Sequence, residues 1–182
     1  VKKTLCIYAH PNHGGSRANR WITQQLALLP NLTFRSLYEI YPEFYIDVEA
    51  EKKLLVEHDL LVFQHPFFWY SMPPLLKLWL DEVLEMGFAY GQGGHALRGK
   101  DFLLSITTGG PAESYSPSGY NSFPIESFFP AYEQTAKLCG MKWHQPVVLH
   151  HSKKVSEDVL AAHAEKVRDR ILEISNPMIG KV

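Results

Sequence analysis

Residues 4–19 read Thr4-Leu5-Cys6-Ile7-Tyr8-Ala9, then His10-Pro11-Asn12-His13-Gly14-Gly15, then Ser16-Arg17-Ala18-Asn19. The first run, short and apolar almost throughout, describes a strand with both faces buried. Proline and two glycines punctuate it, and Ser16 stands where a helix N-cap belongs. Strand, glycine-bearing loop and helix thus follow one another within sixteen residues, as at the start of a βαβ unit.

The same alternation continues along the chain. Leu60 to Gln64, Phe102 to Thr107 and Trp143 to Leu149 read as strands, and Thr33 to Leu37 as a weaker fifth. Between them, helical patterns cover Ser16 to Leu28, Val48 to His58, Pro73-Pro74 to about Gly87, and Phe128 to Leu138. The last helix is the clearest: Ser156 caps it, Glu157 and Asp158 suit its positive start, and Leu160, Ala164, Val167, Ile171 and Ile174 repeat on one face. Strands alternating with helices imply right-handed crossovers, hence a three-layer α/β domain: a five-stranded parallel sheet, order 2-1-3-4-5, with helices on both faces. At 182 residues and 46% hydrophobic content, a single domain over residues 1–182 is expected.

Composition narrows the partners. Eighteen Lys and Arg against nineteen Asp and Glu leave a net charge of -1, which calls for neither nucleic acid nor an anionic membrane surface. Cys6 and Cys139 form no disulfide framework or zinc pattern, so a reducing, cytoplasmic setting is expected. The apolar runs are too short for a membrane span or a signal-peptide core.

In a sheet of this order, ligands bind outside the carboxyl ends of the strands at the topological switch. Three loops there carry unusual sequence. His10 to Asn19 offers glycines, a helix start with unpaired N–H groups, and the side chains of His10, Ser16 and Asn19, a set suited to phosphate. It ends in no Gly-Lys-Ser/Thr and lacks G-x-G-x-x-G, and an ordinary capped turn would read the same way. His10 and His13 have no carboxylate or thiolate nearby in sequence, so no metal is expected. Gln64-His65-Pro66-Phe67-Phe68-Trp69-Tyr70-Ser71-Met72-Pro73-Pro74 sets four aromatics in a row where a polar loop belongs. A planar ring with polar edges, such as an isoalloxazine, would cover them; so would core packing or a subunit contact. Thr107-Thr108-Gly109-Gly110-Pro111-Ala112-Glu113-Ser114-Tyr115 supplies backbone amides to a developing anion.

Taken in order, His-Pro with Ser-x-x-Asn, the aromatic loop, Gly87-Phe88-Ala89-Tyr90 and Ser105-Ile106-Thr107-Thr108-Gly109-Gly110 resemble the flavodoxin-like NAD(P)H:quinone oxidoreductases, DT-diaphorase among them, over nearly the whole chain. Ser36-Leu37-Tyr38, Tyr41-Pro42-Glu43-Phe44, Ile46-Asp47 and Leu75 to Asp81 look most like the ancillary subunits of glutathione-regulated potassium-efflux systems. The resemblance implies a flavin phosphate around His10, Ser16, Ala18 and Asn19, and a flavin ring against Pro66, Phe67, Phe68 and Trp69 and against Thr108, Gly109 and Gly110. It implies catalytic roles for Tyr115 and for Asn121, which stands where DT-diaphorase has a histidine, so a simple proton relay is in question. It also implies a homodimer in which Tyr90 reaches the partner's site, FMN ahead of FAD since the longer members' C-terminal extension has no counterpart here, NADPH or NADH as reductant, and a quinone-like acceptor. Two other roles stay open at this level: an ancillary protein docked on a membrane potassium-efflux transporter, and a one-electron carrier, whose usual strongly acidic surface this charge does not supply. No Gly-x-Ser-x-Gly elbow points to a hydrolase.

Overall fold

In a computed structural model, which describes residues 1–176, the strands are β1 (Thr4–Tyr8), β2 (Leu32–Ser36), β3 (Leu60–Pro66), β4 (Asp101–Thr107), β5 (Lys142–Trp143) and β6 (Val147–Leu149). All pair in parallel in the order β2-β1-β3-β4-β5, with β6 also on β4. The helices are α1 (Arg17–Leu26), α2 (Leu37–Ile40), α3 (Val48–Glu57), α4 (Pro74–Val83), α5 (Pro130–Leu138) and α6 (Glu157–Ser175).

Strand alternation sorts the apolar residues into two layers. Leu5, Ile7, Leu61, Phe63, Leu104 and Ile106 face a core that includes Leu55, Leu75, Trp79 and Ala136 of α3, α4 and α5. Cys6, Leu60, Val62, Leu103 and Val147 face Ile22 and Leu26 of α1 and Ala164, Val167 and Ile171 of α6. One buried charge crosses the first layer. The Glu51 carboxylate, with no exposed surface, pairs with Arg35 and accepts from the Tyr41 hydroxyl at 2.7 Å and from Trp79 Nε1 at 3.0 Å. Those donors satisfy a group that would otherwise be costly to bury.

Four expectations need correction. The final strand is two short ones: β5 pairs at Asp101 and Phe102, β6 at Ser105 to Thr107, and the ladder lapses between them at Pro146, which has no N–H to give. Leu37 opens the short helix α2 instead of ending a strand. The fourth helix stops at Val83, not near Gly87, and residues 85–90 turn back through Gly87 at φ 86°. The fifth likewise starts at Pro130, after a 3-10 turn over Ile125–Phe128. Among the described residues no helix is long and apolar enough to cross a membrane. Residues 177–182 of the expected domain lie outside the described span.

Candidate functional site

Two adjoining cavities open where β1, β3 and β4 end. One, of about 450 Å³, is lined by His10, Ser16, Ala18 and Asn19 on one side and by Pro66, Phe67 and Phe68 on the other, with Lys153 at its edge. The second, of about 480 Å³, lies among Trp69, Tyr70, Gly110, Tyr115, Tyr120 and Asn121. Phe67 and Gly109 line both. A Cβ built on Gly109 would meet nothing within 4 Å. The backbone there fronts open space.

The first loop is pre-shaped by its own polar groups. Asn12 Oδ1 accepts from Gly15 N–H at 3.1 Å, and Ser16 N–H donates to the His13 carbonyl at 2.9 Å. Ser16 caps α1 by accepting from Asn19 N–H at 3.2 Å. The N–H groups of Arg17 and Ala18 fall in the first turn, where a helix has no internal acceptor to offer. Burial, with the charge of His13 adding to it, pushes the His10 imidazole down to about 4, so it is neutral at pH 7. Its Nδ1 accepts from Asn12 N–H at 3.0 Å, which leaves the proton on Nε2. A neutral donor, the α1 start and Lys153 together make an anion cradle.

The second loop is a two-residue hairpin. Phe68 N–H donates to Ser71 O at 3.2 Å, and Ser71 N–H to Phe68 O at 3.0 Å. Trp69 and Tyr70 occupy the corner at φ 47° and 62°, the left-handed pair that such turns normally fill with Asn-Gly. The turn holds Trp69 in solvent, 93% exposed, while Tyr70 stacks on Phe128 at 5.2 Å between ring centres.

In the third loop, Thr108 is buried and lines neither cavity. Its hydroxyl donates to the Gly110 carbonyl at 2.8 Å and lies 3.1 Å from His150 Nδ1; Thr107 takes the lining position instead. Tyr115 packs among Phe67, Phe128 and His150. Burial raises its phenol pKa above the ordinary value, and contact with Thr108 works the other way. Asn121 ties the loops together, accepting from Tyr70 Oη at 3.1 Å and donating to Ser114 Oγ at 3.0 Å.

The expected residues therefore converge, Thr108 and Tyr90 apart. Tyr90 is partly buried against the main core and lines neither cavity of its own chain. Sequence reasoning missed Lys153, Ser152 and Arg17. Arg17 Nη1 donates to the carbonyls of Lys153 and Val155, at 3.2 and 3.3 Å, and so draws the loop after β6 to the cradle. The basic pair Lys153-Lys154, in the loop beyond the last strand, was the available signal.

The profile of the Flavodoxin-like fold family matches residues 2–171. The glutathione-regulated potassium-efflux system ancillary protein KefG of Yersinia enterocolitica is 46% identical over 90% of this chain and 89% of its own length. Among solved structures, general stress protein 14 of Treponema denticola in complex with FMN is 37% identical, with a TM-score of 0.85 over 94% of this chain and 97% of that one. An NADPH-quinone reductase from P. pentosaceus is 25% identical, with a TM-score of 0.85 over 96% and 98%. By its sheet order, its profile and these relatives, the chain belongs to the Flavodoxin-like fold family, in which it groups with the potassium-efflux ancillary proteins.

Proposed function

We propose that this chain is an FMN-dependent NAD(P)H oxidoreductase of the quinone-reductase type. The observation that carries this is the pairing of an anion cradle at the start of α1 with an aromatic-walled cavity, joined at Phe67 and Gly109. That layout fits a phosphate-bearing planar cofactor with a stacking partner beside it. FMN, when bound, supplies two-electron chemistry, taking a hydride from NAD(P)H and passing it to an acceptor. His10, Ser16 and the α1 N–H groups hold the phosphate, with Asn19 bracing Ser16, while Pro66, Phe67 and Phe68 bear on the ring. The Gly109 and Gly110 backbone, which lines the cavities, would offer hydrogen bonds to the ring's polar edge. Trp69, Tyr70 and Tyr115 form the walls between which nicotinamide and quinone stack in turn. Asn121 serves as a hinge pin between loops, and the Tyr115 phenol as the donor toward developing charge. The FMN complex and the NADPH-quinone reductase among the similar structures support this assignment.

The visible spectrum of the purified protein, with the released cofactor identified by mass, tests the proposal. A yellow protein that bleaches on anaerobic mixing with NADPH or NADH and recovers on adding a quinone is expected. A colourless protein that takes up neither FMN nor FAD would refute it.

A second role is favoured by the 46% identity to KefG: this chain docks, from the cytoplasmic side, on a membrane potassium-efflux protein and regulates it. Co-purification from source membranes tests that role independently of turnover. We further propose a homodimer that covers the exposed rings of Trp69, Tyr120 and Phe123 and lets Tyr90 approach the partner's site. Sedimentation at twice 20.8 kDa is expected, and a fully active monomer would refute it.

A further inference from the structure

Gln64, in the buried strand β3, has no exposed surface and lines neither of the two cavities. Its Nε2 donates to Asn19 Oδ1 at 2.9 Å, and Asn19 Nδ2 donates in turn to Ser16 Oγ at 2.9 Å. Ser16 Oγ already accepts from Asn19 N–H. A hydroxyl has two acceptor sites and one proton. With both acceptor sites taken, the Ser16 proton is the only group left to face the cavity. We infer that Gln64 is a positioning residue which, by donating to Asn19, holds Ser16 as a hydrogen-bond donor to the phosphate. The inference rests on the assignment of the cavity to a flavin phosphate.

The chain has a second self-consistent arrangement, in which both amides are reversed. Asn19 Nδ2 then donates to Gln64, the Ser16 proton turns inward to Asn19 Oδ1, and Ser16 meets the ligand with a lone pair. A phosphate dianion accepts and never donates, so the two arrangements differ in affinity for it by a full hydrogen bond. The interior end of Gln64 does not choose between them. Gln64 Oε1 has no partner there, and neither does Ser105 Oγ, its register partner on β4, facing the same layer. A serine hydroxyl serves an amide oxygen or an amide nitrogen equally well. In the structure Gln64 presents its N–H to Asn19, and a residue at position 64 able to present only an acceptor, or nothing, would lose that direction.

The test compares affinities for FMN and riboflavin, which differ only in the phosphate, on apoprotein of the wild type, Gln64→Met and Gln64→Glu. Methionine keeps the bulk and removes the donor; glutamate, while ionised, can only accept and imposes the reversed direction. The FMN preference over riboflavin is expected to fall about tenfold in Gln64→Met and further in Gln64→Glu, with riboflavin affinity changed less than threefold. Riboflavin binding certifies the fold of each variant. Because Gln64 acts through Ser16, adding Gln64→Met to Ser16→Ala should not lower the preference again, a coupling that mere loosening of the core would not produce. Should Gln64→Glu fail to fold, Gln64→Met and this cycle decide. Variants that keep the wild-type preference, or a double variant with additive losses, would overturn the inference and leave the flavin reading standing. A wild type that binds neither flavin would overturn both.

Discussion

Gly109→Val separates what the site does from what holds the protein up. The φ of Gly109 is not in the left-handed region, and nothing lies within 4 Å of where its Cβ would stand, so the Cβ of a valine meets neither backbone strain nor a clash in the free protein. Stability should stay within about 0.5 kcal/mol of wild type, as for an unconstrained surface site. The bound state differs. Gly109 and Phe67 border both cavities, so the new branched side chain stands where a flavin ring would lie and lifts it from the Phe67 face. Losing burial equivalent to one large side chain costs about 1.5 to 3 kcal/mol, one to two orders of magnitude in Kd. Quenching of flavin fluorescence on titration with apoprotein measures the affinity, and a thermal melt without flavin measures the stability. An FMN affinity equal to wild type would refute the placement of the ring. A melting point lowered by several degrees would show that Gly109 is needed for folding instead. Gly94 is the contrasting control: its Cβ would meet the Tyr90 carbonyl oxygen at 2.0 Å, so Gly94→Val should unfold the turn over residues 86–94.

Tyr115→Phe keeps the ring that packs on Phe67 and Phe128 and removes the phenol; stopped-flow reduction by NAD(P)H should slow roughly ten- to a hundredfold, with FMN affinity little changed. An unchanged rate would leave it a packing role. Trp69→Asn with Tyr70→Gly puts the preferred pair into the left-handed corner and should raise stability in urea by about 1 to 2 kcal/mol while lowering quinone turnover; a destabilised variant would show that the Tyr70–Phe128 stack outweighs the strain. Acid should loosen the fold through His65 and His163, two of the three histidines, with His10, that burial holds down to about 4, His163 with Lys166 adding to the effect. Since their folded pKa lies below the unfolded 6.5, the unfolded chain takes up protons first as pH falls, and stability drops between about pH 6.5 and 4, by about 2 kcal/mol for each at pH 5. His163→Gln should flatten part of that slope in denaturant titrations at pH 7 and pH 5; an identical slope would exclude His163 as a source.

The central strands were legible because burial on both faces leaves a continuous apolar run, as in Leu60 to Phe63, and α6 because its contacts repeat every turn. The break between β5 and β6 was signalled only by Pro146, which an edge strand tolerates, and α2 is too short to carry a period. Pairings between distant elements left no local trace. Arg17 reaching Lys153, and Gln64 reaching Asn19, exist only once the strand register and the α1 packing are fixed.

The aromatic loop was legible for the opposite reason, that it breaks local rules. A two-residue hairpin corner asks for Asn-Gly, and Trp-Tyr at φ 47° and 62° costs of order 1 kcal/mol or more for each residue. The corner recovers little of that cost: Trp69 stands in solvent, and Tyr70, 44% exposed, regains only what its stack on Phe128 and its bond to Asn121 return. A sequence that bears such a penalty with so small a packing return, and none for Trp69, keeps those rings for something that arrives later, a ligand or a second subunit. Both candidates meet at the same place, because the exposed rings of Trp69 and Tyr120 form the open wall of the cavity that Tyr115 closes from within. The turn is therefore where folding preference yields to function, and the stability gained by relieving it measures how much was given up.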